Sequence, residues 1–404
     1  MDEPDTALPL HPVAGVRLGV ASAQALRQDR TDLTVIAIED GALLQAIFTR
    51  NAFAAAPVTI ARRHLALASP RYCVINAGNA NAGTGEAGLE NCRKVCATLA
   101  HARRCPVEAV LPFSTGVIGE PLPVSQICKT LPVCLQSLEE AGWKKAARSI
   151  MTTDRAPKGY SEKLTLGGTE ITVTGIAKGA GMICPDMATM LAFIATDAHI
   201  EKNLLGHMLQ RAAGKTFNRI TVDGDTSTND AAVLIATARG GGPEIRRWDR
   251  NSERIAAAIT RTCEHLALAI VEDGEGATRI IDIRIEGGRD EQECLRVAYL
   301  IAHSPLFKTA CHGGSPNWGR ILAAVGRSGL NALDIGQVNL FLGDLPVVEQ
   351  GSLSPRYNEA KAKQFMAQKH LRFVIHLGRG RTAAKISTCD LSREYIRINA
   401  EYLA

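Results

Sequence analysis

Aromatic residues, long apolar runs and blocks of basic residues are scarce or missing in this sequence of 404 residues. Tryptophan, tyrosine and phenylalanine make up only 4% of it, and the formal net charge is +5. Proteins that bind nucleic acids generally need aromatic stacking surfaces or dense basic patches. No apolar run reaches the roughly 18 residues of a membrane-spanning helix. We therefore expect neither a nucleic acid nor a membrane as a partner.

The sequence also lacks an export signal and a metal-binding pattern. Its first ten residues, MDEPDTALPL, are acidic and do not show the basic region and apolar stretch of a secretory signal. The eleven cysteines include no CxxC pair, although Cys92 and Cys96 have the spacing of one helix face. Such cysteines are expected to be reduced and to pack as small apolar side chains. The ten histidines show no HExxH pattern, so we expect a soluble, cytoplasmic protein without a metal ion.

The length and the hydrophobic content of 46% suggest two or three folding units. In the first third, runs typical of strands alternate with glycine-rich turns. DLTVIAIEDGALLQAIFTRNAFAAAPVTIA predicts two or three strands, and RYCVINAGNANAGTGEAG predicts a strand and a loop before a helix that ends near Cys105. Further along, we predict a tight loop at STGVIGEPLP, an amphipathic helix at QSLEEAGWKKAARSI and a polar connection at PKGYSEK.

The second half of the sequence predicts a buried strand after residue 189, a helix at KNLLGHMLQRAAG, and a strand that runs into an acidic turn at NRITVDGDTSTND. The strand IIDIRIE ends at Gly287-Gly288, where we place the boundary between a domain of residues 1–286 and a smaller α+β domain of residues 287–404. The smaller domain is expected to contain a helix capped by Asp290 and Glu293, the hairpin VNLFLGDLPVVEQG, the helix NEAKAKQFMAQK, the strand LRFVIHLG and a terminal strand at REYIRINAEY.

The stretch KGAGMICPDMATMLAFIATDA places a small residue, Ala188, directly before Thr189. If the peptide bond between them were cut, the new α-amine, with a pKa of about 8, would sit on the same residue as the hydroxyl. One residue would then supply a nucleophile and its general base. The cut can be self-made, because the Thr189 hydroxyl can attack the Ala188 carbonyl and water can hydrolyse the resulting ester. The alternative is that Thr189 simply begins a buried strand.

Three other stretches carry groups that suit such chemistry. STGVIG offers the hydroxyl of Thr115 beside the amide of Gly116, which together suit an oxyanion hole. Lys178 precedes two glycines and can pair with a carboxylate, while Asp273 and Glu275 can pair with an ammonium group. A plain turn in the first case, and a solvated acidic turn in the last, are the structural alternatives.

Nine segments together resemble the ornithine acetyltransferase, or glutamate N-acetyltransferase, family along nearly the whole chain. They are FTRNAFAAAPV, NAGNANAGTGE, STGVIGE, IMTTD, KGAGMICPDMATMLAFIATDA, FNRITVDGDTSTND, DGEGATR, KTACHGGSPNWGRI and CDLSREYIRINAEY. The resemblance implies an α+β fold with a layered αββα core, similar to aminopeptidases and esterases that have an N-terminal nucleophile. It also implies self-cleavage between Ala188 and Thr189 into an α chain of residues 1–188 and a β chain of residues 189–404, which stay together as an α2β2 heterotetramer.

The activity implied by the resemblance is acetyl transfer from N-acetyl-L-ornithine to L-glutamate in arginine synthesis, by a ping-pong mechanism. Thr189 would carry the acetyl group, and Thr115 and Gly116 would form the oxyanion hole. The implied substrate contacts are Thr152, Lys178, Thr189, Glu275, Asn399 and the C-terminal residue. No cofactor is implied, although some members also use acetyl-CoA as an acetyl donor, and no residue in this sequence distinguishes the two kinds of member.

The sequence departs from the family pattern at several positions, including Ser315, where an acidic residue is common, and Asp186, where asparagine is frequent. The last residue is Ala404 where the family usually has a threonine that contacts substrate, and Arg279 replaces a lysine. Two alternatives to the acetyltransferase also stand. One is an amidohydrolase or aminopeptidase that uses the same threonine but passes the acyl group to water. The other is an uncut binding protein that keeps the fold.

Overall fold

The computed structural model describes residues 9–23, 31–184 and 190–401. The chain forms two compact units. The first is Met1–Asn218 with Asp225–Ile270, and the second is Arg219–Gly224 with Val271–Leu403. The second unit thus takes in a short segment from the middle of the chain and begins ahead of the predicted boundary at Gly287.

Two β-sheets form the centre of the first unit. Their strands are β1 (Val16–Ala21), β2 (Leu33–Ile38), β3 (Leu43–Phe48), β4 (Tyr72–Asn79), β5 (Val110–Val117), β6 (Lys158–Leu166), β7 (Thr169–Lys178), β8 (Leu191–Thr196) and β9 (Ala231–Ala236). One sheet has the order β1-β2-β4-β5 and the other the order β3-β9-β8-β7-β6. Both are mixed: β4 pairs with β5, and β8 with β9, in parallel, while their remaining neighbours are antiparallel.

Helices pack against these two sheets. They are α1 (Ala56–Leu67), α2 (Gly85–Arg103), α3 (Val124–Gln136), α4 (Trp143–Ser149), α5 (Lys202–Lys215) and α6 (Arg250–Glu272). The short helix α4 contacts strands of both sheets. The helices α1, α2 and α3 pack on the first sheet, and α5 packs on β3 and β9 of the second. Gly175 of β7 lies against Thr262 and Leu266 of α6. The first unit is therefore a layered αββα core, which confirms the expected fold class.

Strand β2 shows how the alternation of side chains produces this layering. Ile36 and Ile38 belong to a buried cluster with residues of both sheets, while Leu33 and Val35 belong to a second cluster with residues of α2 and α3. Successive strand residues point to opposite faces, so one strand supplies apolar groups to two layers. All six of its residues are buried, which explains the continuous apolar run in the sequence.

Several local predictions for the first unit are wrong. PKGYSEK is not a polar connection, because Lys158 begins the long strand β6, whose partly exposed residues pair with β7. The helix predicted at QSLEEAGWKKAARSI is limited to α4. The loop predicted at STGVIGEPLP begins later than expected, because its first four residues are the end of β5. The segment from Pro57 onward is helix α1 instead of a strand, with the proline in its first turn, where no amide hydrogen is needed.

The second unit is built on a single sheet among its described residues. Its strands are β10 (Ile280–Gly288), β11 (Asn339–Leu342), β12 (Leu345–Glu349), β13 (Ser352–Leu353), β14 (His370–His376) and β15 (Thr382–Cys389), in the order β13-β12-β11-β14-β10-β15. Its helices are α7 (Glu291–Ala302), α8 (Pro305–His312), α9 (Trp318–Gly326), α10 (Glu359–Met366) and α11 (Arg393–Glu401). The buried residues of α7 and of β10 belong to one apolar cluster.

The terminal segment REYIRINAEY is the clearest error in the secondary-structure predictions. It forms helix α11 instead of a strand. Arg397 pairs with Glu394, three residues before it, and with Glu401, four residues after it, and this is the spacing of neighbours on a helix surface. The apolar residues of the segment alternate over a short distance, which favours a strand. The charged residues are instead spaced to form ion pairs on a helix, and the segment is helical.

The described residues contain no helix that is long and apolar enough to span a membrane. Among the same residues, no group of His, Cys, Asp or Glu side chains is arranged to hold a metal ion. The eleven cysteines are free, and burial raises the pKa of Cys73, Cys134 and Cys263.

Candidate active site

The end of strand β5 carries Thr115 and Gly116 and lies very close to β4. Gly116 pairs with Gly78, and a Cβ atom added at Gly116 would lie 2.0 Å from the carbonyl carbon of Gly78. The φ angle of Gly116 is +134°, in a region that other residues rarely adopt. Only glycine therefore fits beside Thr115 in this strand.

Buried polar contacts fix this strand end from the side. The Ser114 hydroxyl donates to Asn76 Oδ1 at 2.5 Å. Asn229, which lies just before β9, donates its side-chain amide to the carbonyls of Ala80 at 2.6 Å and Ser114 at 2.9 Å. Because these groups are buried and paired, the backbone around Thr115 is held in one position.

Lys178, the last residue of β7, brings two of the other predicted site residues together. Its Nζ donates to Thr115 Oγ1 at 3.1 Å and to Thr152 Oγ1 at 2.7 Å. A hydroxyl has two acceptor positions and one hydrogen to donate. Since Thr115 accepts from Lys178, its own hydrogen is directed elsewhere, which is what an oxyanion hole requires.

A buried carboxylate, Asp154, organises the groups around Lys178. It accepts from the backbone amide of Thr152 at 3.0 Å and from that of Gly179 at 2.7 Å. Its Oδ1 also lies 2.7 Å from Lys158 Nζ, and its Oδ2 lies 3.9 Å from Lys178 Nζ. The side chain of Asp154 is completely buried. One carboxylate therefore positions the backbone at Thr152 and Gly179 and lies beside both lysines.

The lysines determine the ionisation of Asp154. Burial would raise the pKa of Asp154, but the charges of Lys178 and Lys158 and the hydrogen bonds to the carboxylate hold it well below its usual value. Asp154 is thus ionised and lies beside the two lysines. Lys178 Nζ also contacts the hydroxyls of Thr115 and Thr152, and a cation in this setting suits a ligand with a carboxylate.

Asp230, next to Asn229, is a second buried carboxyl with a different character. It accepts hydrogen bonds from the Ser227 hydroxyl and the Met190 amide, and Lys178 lies near enough to attract it. Burial nevertheless raises the pKa of Asp230 well above its usual value. Burial thus outweighs the hydrogen bonds and the attraction of Lys178 in their effect on this pKa.

Glu275 and Asn399 contact each other in the second unit. The Asn399 amide donates to Glu275 Oε2 at 2.8 Å, and Glu275 is buried. A Cβ atom at the neighbouring Gly276 would lie 2.4 Å from the amide nitrogen of Tyr395, so α11 approaches this loop closely. The only partner seen for the Glu275 carboxylate in the described residues is an uncharged amide, which suits a cationic ligand.

Of the remaining predicted positions, Arg279 lies within the described residues. Ala188, Thr189 and Ala404 lie outside the described residues. Arg279 donates from its guanidinium to the carbonyls of Met366 and Gln368, so the replacement of lysine serves a structural contact in the second unit.

Sequence reasoning thus selected Thr115, Gly116, Thr152 and Lys178, which meet in the first unit, and Glu275 and Asn399, which meet in the second. It did not indicate that Asp154, Lys158 and Asp230 also belong to the site in the first unit. The motifs IMTTD and TSTND contain the two aspartates, but nothing local marks them as buried. The pairing of Lys158 with Asp154, four residues earlier, was the one available sign.

Comparison with known proteins gives a consistent result. The ArgJ family model matches residues 17–404. The arginine biosynthesis bifunctional protein ArgJ of Pseudomonas fluorescens is 48% identical over 394 residues, which cover 97% of both chains. The protein of the same name from Methylococcus capsulatus is 49% identical over 393 residues, which cover 97% of this chain and 96% of the relative.

A solved structure is also similar. The crystal structure of arginine biosynthesis bifunctional protein ArgJ from Bacillus halodurans is 36% identical, with a TM-score of 0.51. The match covers 53% of this chain and 100% of that chain.

Proposed function

The chain belongs to the ArgJ family, and from this premise we propose that it transfers the acetyl group of N-acetyl-L-ornithine to L-glutamate in arginine synthesis. The observation that carries the proposal is the meeting of Lys178 with Thr115 and Thr152. These contacts join a cation for a substrate carboxylate to a hydroxyl donor for an oxyanion.

We propose that the chain first cuts itself between Ala188 and Thr189. The Thr189 oxygen attacks the Ala188 carbonyl, the C–N bond breaks, and the hydroxyl proton ends on the nitrogen. Water then hydrolyses the ester and releases the two chains. The match to the Bacillus halodurans structure supports this step, because all of that chain corresponds to 53% of this one. A chain from Thr189 to Ala404 would have the same share of the 404 residues.

The freed Thr189 is proposed as nucleophile and base in a ping-pong reaction. Its oxygen attacks the acetyl carbonyl of N-acetylornithine, its amine carries the proton to the leaving nitrogen, and ornithine departs. The amine of glutamate then attacks the acetyl ester. In both tetrahedral intermediates the oxyanion accepts hydrogen bonds from the Thr115 hydroxyl and the Gly116 amide. Each such donor typically lowers the barrier by about 3–4 kcal/mol.

Charge explains how the substrates are recognised. Both have an α-carboxylate, for which we propose Lys178 as the partner, with Thr152 beside it. Ornithine also has a side-chain ammonium group, for which we propose Glu275, held by Asn399. Ion-paired hydrogen bonds of this kind are about twice as strong as neutral ones.

Further properties belong to the same proposal. Relatives are named bifunctional, and we propose acetyl-CoA as a second acetyl donor that enters the same ping-pong scheme. We propose that the two chains assemble as an α2β2 heterotetramer in the cytoplasm and need no cofactor.

Mass spectrometry after brief incubation with N-acetylornithine tests the central steps together. We expect two chains that begin at Met1 and Thr189, and one added acetyl group on Thr189. Glutamate should then remove this group and speed the release of ornithine. A single chain of 43.2 kDa would contradict self-cleavage, and a rate that does not respond to glutamate would indicate a hydrolase. A Thr189→Ala variant, expected to stay uncut and unacetylated, is the control.

A further inference from the structure

The loop of residues 226–231 contacts both flanks of the 185–189 segment. Before the segment, the Thr226 hydroxyl donates to the carbonyl of Cys184 at 3.0 Å. After it, the Ala231 amide donates to the carbonyl of Met190 at 2.9 Å. The amide of Met190 in turn donates to the carboxyl of Asp230. Cys184 and Met190, which flank residues 185–189, are thus both bound by residues 226–231.

This loop is itself anchored to the end of strand β3. The side-chain amide of Asn51 donates to the carbonyl of Thr226 at 2.9 Å, and the Thr49 hydroxyl donates to the carbonyl of Ser227 at 2.8 Å. The Thr49 amide donates to the carbonyl of Asp230 at 2.9 Å. Backbone carbonyls held at three points leave the loop little freedom, so it can serve as a fixed support.

Asp230 is the member of the loop whose burial is hardest to explain by folding alone. It is 2% exposed, and its Oδ2 has no hydrogen-bond partner among the described residues. An unpaired buried oxygen costs stability, and an apolar side chain at this position would avoid that cost. Burial also raises the pKa of the Asp230 carboxyl, which accepts a hydrogen bond from the Met190 amide.

We propose that residues 226–231 act as a clamp on the segment that contains the Ala188–Thr189 bond, and that Asp230 is a positioning residue for self-cleavage. This inference rests on the proposed function and adds a role for residues outside the oxyanion hole and the substrate contacts. It assigns to the TSTND motif the task of holding the bond in place.

Covalent geometry links the clamp to the reacting residue. The peptide group between residues 189 and 190 is planar, so a hydrogen bond to the Met190 nitrogen and one from its carbonyl restrict the chain directly after the nucleophile. Attack on a neighbouring carbonyl requires the reacting atoms to be held about 3–3.5 Å apart in the right orientation. A clamp on both flanks supplies this restriction without touching the bond that breaks.

Self-cleavage of newly translated protein can be followed on gels for a matched set of variants. In Asp230→Ala the acceptor for Met190 is lost, and we expect cleavage to slow by about tenfold or more. Asp230→Asn keeps an uncharged group that accepts and donates, so it should recover most of the rate. Thr226→Val should slow cleavage, and Thr226→Ser should restore it.

Asp197→Asn is the control for damage to the sheet. Asp197 follows the other end of β8, is buried, and accepts from the Thr172 amide at 2.8 Å. Burial raises the pKa of Asp197 as well. We expect normal cleavage in this variant. Thermal melting of each uncut variant, made with Thr189→Ala, shows whether a slow variant is merely unfolded.

The outcomes separate this inference from the proposed function. An uncut wild type would overturn the self-cleavage itself. A wild type that cleaves together with an Asp230→Ala variant that cleaves equally fast would overturn only the clamp. Equal slowing in Asp230→Asn and Asp230→Ala would overturn positioning by a hydrogen-bond acceptor at residue 230. Slowing of Asp197→Asn to the same degree would show that only the stability of the sheet matters.

Discussion

In the first unit the buried carboxylate of Asp154 faces two lysines, whereas in the second unit the buried carboxylate of Glu275 faces the neutral amide of Asn399. The first group combines a carboxylate with two cations, and the second combines a carboxylate with an uncharged amide. In both, hydrogen bonds fix the geometry of the carboxylate. The difference supports the proposal that Lys178 binds a carboxylate and that Glu275 binds an ammonium group.

Replacing Asp154 by asparagine should have the largest effect, because it removes one partner of the buried ion pair between Asp154 and Lys158. Removing one partner of a buried ion pair typically costs about 3–5 kcal/mol. We expect a loss of this size in the free energy of unfolding, measured with urea. In the control variant, which combines Asp154→Asn with Lys158→Met, part of the loss should be recovered. An unchanged stability in Asp154→Asn would show that the first region is not held together by charge.

The effect of pH follows from the lowered pKa of Asp154. A carboxyl with a lower pKa in the folded than in the unfolded chain stabilises the fold above the unfolded value of about 3.9. This contribution is lost as the pH falls through the folded pKa. The stability gap between wild type and Asp154→Asn should therefore be constant from neutral pH to about pH 5 and narrow only in stronger acid. A gap that closes above pH 5 would contradict the ionised state.

Lys178→Met tests whether the positive charge of Lys178 serves binding. Asp154 keeps its partner Lys158, so the fold should survive, but both substrates lose the cation for their α-carboxylate. We expect kcat/KM to fall by about 100-fold for N-acetylornithine and for glutamate, as expected for a lost charged hydrogen bond. Lys163→Met, which removes an exposed lysine paired with Glu170, is the control. An effect on one substrate alone would contradict the proposal that Lys178 binds the α-carboxylate of both substrates.

The two regions also differ in how well the sequence predicts them. Thr115, Gly116 and Lys178 lie at strand ends within glycine-rich motifs, so local pattern and family resemblance locate them. Their mutual contacts depend on the pairing of β4 with β5 and of β7 with β8, which joins residues far apart in the chain. The burial of Asp230 comes from that long-range packing, and no pattern within TSTND encodes it.

The second region shows the opposite failure. A short alternation of apolar residues predicts a strand around Asn399. Asn399 instead lies on α11 and contacts Glu275, 124 positions away. The helix is fixed by local charge pairs of Arg397, which outweigh the alternation. The family resemblance indicates Asn399 as a site residue, whereas the local apolar pattern predicts its secondary structure wrongly. Predictions of a residue's role and of its local structure therefore rest on separate information.

Glu275→Gln should separate the substrates where Lys178→Met does not. The glutamine keeps an oxygen for the Asn399 amide but loses the charge that suits the ammonium group of ornithine. We expect KM for N-acetylornithine to rise by about tenfold, with little change in KM for glutamate, whose side chain is not cationic. Glu272→Gln, which removes an exposed carboxylate paired with Lys369, should change neither value. Equal effects on both substrates would refute a specific role in ornithine recognition.

Ala404→Thr, for which we expect the smallest effect, tests whether residue 404 contributes to substrate recognition together with Glu275 and Asn399. The sequence ends five positions after Asn399, and the family usually has threonine there. A restored hydroxyl adds one neutral hydrogen bond, worth about 0.5–1.5 kcal/mol. We therefore expect KM for one substrate to fall by several-fold. Unchanged KM values for both substrates would show that recognition in this region ends with Glu275 and Asn399.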